Sequence, residues 1–226
     1  MKISANGGIR AGLAALLIAC APAFAQHDLN LGETKDIVAR YLLQDINGRA
    51  VTPEDYNGYF QLIAFGYTFC PDVCPTTLTE MAAVLQQLGP LAARVKPIFI
   101  SVDPARDTLQ VLRAYTAFFD SRIIGMTGSP ALVSHAASNF KVRYQKVYAQ
   151  DAPPDRYAVD HSAGMYLLGP DGAFAKKFGY GTPPDTITTE MRQLIEETAV
   201  AKAAAKTAAK AKQGAEARGV PDGTPR

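Results

Sequence analysis

Tryptophan is absent from the 226 residues, and cysteine and histidine number only three each. Three cysteines in a chain this long do not make the disulfide framework on which miniature exported domains depend, and a domain of this size needs no such staple. A glycine-rich phosphate loop is missing, as is any internal repeat. The balance of 23 Lys and Arg against 21 Asp and Glu offers nothing that points to nucleic acid. Ten tyrosines and ten phenylalanines suffice for a packed core and some surface contacts, without suggesting an aromatic ligand cage. No long apolar run is present near the N-terminus either: Ala11 to Ala19 is too short to span a bilayer.

That short run has another reading. Lys2 and Arg10 precede it and Ala23-Phe24-Ala25 follows, which is the charged, apolar and small-residue order of a cleaved export signal. Residues 1–25 are therefore expected to be removed and the remainder to be periplasmic. Leu17-Ile18-Ala19-Cys20 competes with this, because it resembles a bacterial lipobox, in which cleavage precedes Cys20 and that cysteine carries a membrane-anchoring lipid. From Ala199 the composition shifts to an Ala/Lys-rich tail with six Lys and Arg against two Asp and Glu. The signal adds two more positive charges, so residues 26–198 are net −4 within a chain of net +2. If the tail is helical, Lys202, Lys206 and Lys210 share one face that could meet anionic lipid or an acidic partner. The plainer reading of 199–226 is a mobile, solvated spacer.

Between these ends, strands and helices alternate. Apolar residues flank Asn47-Gly48 within Tyr41 to Val51, the pattern of an N-terminal hairpin. Leu62 to Phe69 and Val95 to Val102 read as buried strands, and a helix is expected from about Cys74 to Leu88. Thr108 to Phe119 and Ser129 to Phe140 are helical candidates, the second with Ser129 as cap and Pro130 in the first turn. A strand over Ser162 to Leu168, a turn at Gly169 to Gly172, a strand over Ala173 to Phe178 and an amphipathic helix over Pro184 to Glu197 complete the order. The plan is α/β: a thioredoxin-like single domain, residues 26–198, with an N-terminal hairpin extension.

Cys70 and Cys74 stand in FCPDVCP, between the first core strand and its helix. There, unpaired helix N–H groups and the helix dipole favour thiolates. Disulfide, redox pair and metal clamp all remain open on spacing alone. A permanent disulfide would close so small a loop that it would constrain the unfolded chain little. Of the histidines, His27 lies just beyond the signal and His135 within a helix, where packing or surface exposure explains it. His161, in VDHSAGM, precedes a strand expected beside the cysteine-bearing one, so it is the favoured third donor, with Asp160 as a carboxylate that could orient its ring. Met81, Met126 and Met165 read as core filler. Asp103 and Asp107 read as turn and capping residues, and both are left out of the ligand set.

The motifs C-P-D-V-C-P at 70–75, S-V-D-P-A-R-D-T at 101–108 and Asp160-His161 followed by M-Y-L-L-G-P-D-G at 165–172 together resemble the Sco/SenC family of copper-binding proteins. The resemblance covers about Ile37 to Glu197. It implies a thioredoxin-like fold, a copper ion held by Cys70, Cys74 and His161, and a role in assembling the dinuclear copper centre of cytochrome c oxidase. The implied partners are the copper-bearing oxidase subunit, a thiol reductant and another periplasmic copper carrier. Many relatives resemble membrane-tethered proteins, whereas this chain shows a cleavable signal or lipid site. Two thiolates and an imidazole independently suit low-coordinate Cu(I), while four ligands for a closed zinc site do not assemble without a carboxylate such as Asp72. Because an oxidising compartment favours the disulfide, the reductant is a chemical requirement. Two redox readings stay beside delivery. A thiol-disulfide oxidoreductase would use Cys70 and Cys74 as its redox pair, and a thiol peroxidase would need a basic activator such as Arg106 or Arg156.

Overall fold

The computed structural model describes residues 36–216. The expected export signal, Cys20 and His27 lie outside the described residues, as does the end of the tail from 217. The expected hairpin is present as β1 (Leu43–Asp45) and β2 (Ala50–Val51), paired antiparallel. Its turn is stabilised by Asp45, whose Oδ1 accepts from the Asn47 and Arg49 amides at 2.8 and 3.1 Å, while Gly48 takes a φ of +77°. β3 (Phe60–Gly66) is buried throughout and runs parallel to β4 (Val95–Ser101), which in turn runs parallel to β5 (Ile124–Thr127). Near-continuous apolar sequence in β3 and β4 is what strands covered on both faces require. β8 (Met165–Leu168) lies antiparallel to β3 and β9 (Phe174–Phe178) antiparallel to β8, so seven strands run in the order β2-β1-β5-β4-β3-β8-β9.

Helices make the crossovers. α1 (Val73–Leu88) buries Cys74, Thr77, Leu78, Met81, Val84, Leu85 and Leu88, the three-and-four spacing of one helical face. α3 (Pro130–Asn139) is capped by Ser129, as expected, and α2 (Leu109–Phe119) by the Thr108 side chain. α4 (Pro184–Glu216) buries Ile187, Met191 and Ile195 and packs against α1. Gln87 fastens the two: its amide donates to Asp185 at 2.7 Å and its carbonyl oxygen accepts from Thr188 at 2.7 Å. Phe65 and Phe140 each meet Tyr166 edge to face, and tilt against one another, at the centre of the core.

The structure revises the sequence reading in four places. β5 was not anticipated: Ile124–Thr127 is only four residues long and its alternation is interrupted by Gly125. The strand expected from Ser162 begins at Met165. Ahead of it stands a separate two-stranded hairpin, β6 (Tyr144–Tyr148) and β7 (Tyr157–His161), that hydrogen-bonds to neither edge of the main sheet. Its residues are mostly exposed, with Val159 the buried member of β7, so it lacks the apolar alternation by which strands are read. Finally, the last helix does not stop at Glu197 but continues through the Ala/Lys segment to Glu216. Burial, rather than helicity, ends near Thr198, and residues 199–210 are exposed. Among the described residues, no helix is long and apolar enough to cross a membrane.

Candidate metal centre

Topology brings the candidate donors together. β8 pairs antiparallel with β3 through Ala64 and Met165, so the chain entering β8 arrives at the end of β3 from which the cysteine loop departs. His161 is the last residue of β7, just ahead of that entry. Sγ of Cys70, Sγ of Cys74 and a ring nitrogen of His161 all lie within 4.8 Å of one another. Nε2 of His161 is 3.3 Å from Sγ of Cys74. Neither cysteine is in a disulfide. Two sulfurs and a nitrogen converging in this way suit a soft or borderline ion that accepts three ligands, and the donor set fits copper.

The two sulfurs differ in environment. Cys70 is partly exposed and accepts from the backbone amide of Cys74, in the first turn of α1, at 3.4 Å. The helix N-terminus therefore serves Cys70. Cys74 is 2% exposed, and burial pushes its thiol well above the usual cysteine range, with the neighbouring Cys70 adding to the shift. The expectation that both sites favour thiolates fails for Cys74, where burial opposes ionisation. Close packing behind Cys74 is set by Gly66, where a Cβ would fall 2.6 Å from the Cys74 sulfur and 2.8 Å from the Phe99 ring.

His161 is oriented by the chain itself. Its Nδ1 lies 3.0 Å from the carbonyl oxygen of Ser162, leaving Nε2 to face the sulfurs. Asp160 does not take the orienting part foreseen for it. Consecutive strand residues point to opposite faces, and Asp160 is exposed while His161 is half-buried. The Tyr67 ring meets the imidazole edge-on, with centroids 5.9 Å apart. Asp72 stands exposed at the N-cap position of α1, without a side-chain capping bond, and outside the donor group. His135 is exposed on α3, and Met81, Met126 and Met165 are buried in the core, as their patterns suggested.

Beneath the site, the loop after β4 does more than turn the chain. Asp107 is buried and accepts from the Thr68 amide, the Thr68 hydroxyl and the Ser101 hydroxyl at 3.0, 2.6 and 2.6 Å, tying the cysteine loop to β4. Burial raises its carboxyl above the usual range, opposed by the bonds from Ser101 and Thr68. Arg106 pairs with Asp103 and stacks on Tyr157, and Arg156 is exposed. Sequence reasoning reduced Asp103 and Asp107 to local turn chemistry because their partners are distant in the chain. Gly66 carried a legible signal, since a lone glycine inside a strand often marks a close approach.

Known proteins agree with this geometry. The SCO1/SenC family model matches residues 30–196. Protein SCO2 homolog, mitochondrial, from Homo sapiens is 38% identical over 153 residues, 67% of this chain and 57% of its own length. Among solved structures, Arabidopsis thaliana ScoI with copper bound superposes with a TM-score of 0.66 at 34% identity, covering 71% of this chain and 99% of that one. Bradyrhizobium japonicum ScoI with copper bound gives 0.63 at 39% identity, covering 69% and 97%. BsSco, described as a member of the Sco family of cytochrome c oxidase assembly proteins that has a disulfide switch, gives 0.55 at 25% identity over 71% and 94%. The chain spans little more than half the length of its human relative. With the family's motifs in place around three converging donors, and the match running from the N-terminal hairpin into the last helix, the chain belongs to the SCO1/SenC family.

Proposed function

We propose that the protein is a copper metallochaperone that holds Cu(I) between Cys70, Cys74 and His161 and delivers it to the dinuclear copper centre of cytochrome c oxidase. The observation that carries this reading is the convergence of three soft and borderline donors within 4.8 Å. Release proceeds by stepwise ligand exchange, in which thiolates of the copper-bearing oxidase subunit replace the donors one by one. Ligation requires the Cys74 proton to leave, and it requires both thiols reduced. In the periplasmic setting expected from the export signal, a thiol reductant must therefore act first, and another copper carrier supplies the ion. The membrane proximity of the acceptor suits either a released protein or one anchored by lipid on Cys20.

A second reading is favoured by the amide of Cys74 at the Cys70 sulfur. In it, Cys70 thiolate attacks an acceptor disulfide, forming a mixed disulfide. Cys74 then loses its proton and displaces the reduced acceptor, leaving Cys70–Cys74 oxidised. That resolving step, like copper ligation, requires the buried Cys74 thiol to lose its proton. The test mixes copper-loaded protein with the apo copper-bearing domain of the oxidase subunit, and reduced metal-free protein with its disulfide form. Delivery predicts copper transfer to the acceptor with poor disulfide turnover. Efficient reduction without copper transfer would replace delivery by the redox reading.

A further inference from the structure

The third donor stands on an element outside the main sheet that reaches the core mainly through Val159, Tyr144 and Tyr157. β6 and β7 form a sheet of two strands, and such a hairpin is marginal in water unless something packs on it. In β6 every residue after Tyr144 is exposed. The register pairs Tyr144 with His161 at the open end and Tyr148 with Tyr157 at the turn end, so Tyr157 and His161 are the two ends of β7.

One guanidinium fastens the turn end. Nη1 of Arg106 donates to the Tyr157 carbonyl at 2.9 Å, and the guanidinium carbon lies 3.7 Å from the Tyr157 ring centroid. Nε of Arg106 donates to Oδ2 of Asp103 at 2.5 Å, while the Tyr157 hydroxyl donates to Oδ1 of the same carboxylate at 2.8 Å. Asp103 is fully buried and anchored in turn, its amide donating to Ser101 Oγ, which donates to Asp107. Arg106 also stacks at 4.9 Å on Phe69 and 5.7 Å on Tyr67, the residue whose ring abuts His161. A single loop between β4 and α2 therefore grips both halves of the site, through Asp107 to the cysteine loop and through Asp103 and Arg106 to the histidine hairpin.

From this we propose that Arg106 is the positioning residue for the imidazole ligand: by clamping Tyr157 to Asp103 it fixes the hairpin so that His161 stands over Cys74. Arg106 touches no donor atom and acts through His161. Lysine could supply the charge but neither the flat stacking face nor the forked donors that reach Asp103 and the Tyr157 carbonyl together. The inference rests on the three-donor reading of the site.

A double-mutant cycle tests it. Cu(I) affinity under a competing chelator is measured for wild type, Arg106→Leu, His161→Ala and the double variant, with amide hydrogen exchange of residues 144–161 as a second readout. Arg106→Leu is expected to weaken copper by about 10–100-fold, as loss of a supporting partner does. It should also speed exchange in the hairpin and leave affinity unchanged in the His161→Ala background. Wild-type affinity in Arg106→Leu, or an equal loss in both backgrounds, overturns the positioning role. If Arg106→Leu does not fold, Tyr157→Phe, which removes only the hydroxyl bond to Asp103, goes through the same cycle with the same deciding results. His161→Ala binding copper like wild type would instead overturn the three-donor reading itself.

Discussion

At the scale of single residues, the two cysteines divide the work. Cys70 faces solvent with a helix amide on its sulfur, and Cys74 is buried with its thiol pKa raised. In reduced, metal-free protein at pH 8, iodoacetamide should label Cys70 at least about tenfold faster than Cys74, because the thiolate is the reacting form and Cys74 keeps its proton. Peptide mapping reads the ratio, and equal rates would contradict it. The sign for copper follows. An ion that must displace the Cys74 proton binds more tightly as pH rises, by about tenfold per pH unit for each proton released. Gly66 is the other decisive residue, because a methyl group there would meet the Cys74 sulfur and the Phe99 ring. Gly66→Ala is expected to cost about 1–3 kcal/mol of stability, as overpacking does, and to weaken copper binding by displacing Cys74. Urea midpoints and chelator competition measure the two effects. Unchanged copper affinity would show that Cys74 sits independently of Gly66.

At the scale of elements, the last helix separates stability from length. Its first half is stapled to α1 by Ile187, Met191, Ile195 and the Gln87 bonds, whereas residues 199–210 are exposed. Truncation after Thr198 should therefore change unfolding free energy by no more than about 0.5 kcal/mol and leave copper affinity intact. A fall of more than about 1 kcal/mol in denaturant unfolding would mean that the tail packs on the domain. Legibility from sequence follows the same division. β3 and β4 were readable as short continuous apolar runs, α1 by its three-and-four spacing, and α3 by Ser129 and Pro130 at its start. The β6–β7 hairpin was not, because most of its residues face solvent and its own Tyr157 is clamped by Arg106 from elsewhere in the chain. Cys70, Cys74 and His161 were legible by residue type and by the strand order around them. Their supports were not, since Thr68–Asp107 and Arg106–Tyr157 join residues 39 and 51 positions apart with no local signature.

At the scale of the whole molecule, a thioredoxin-like core serves as a rigid base on which two irregular segments meet. The cysteine loop rises from the end of β3, the histidine hairpin reaches over it, and the loop after β4 braces both. The most direct measurement of the account is an anaerobic titration of reduced protein with Cu(I) under a competing chelator, run beside Cys70→Ser, Cys74→Ser and His161→Ala. The account predicts one copper per chain and, for each of the three variants, a loss beyond the roughly 10–100-fold that removing a mere supporting residue costs. His161→Ala binding Cu(I) as tightly as the unaltered chain would contradict it.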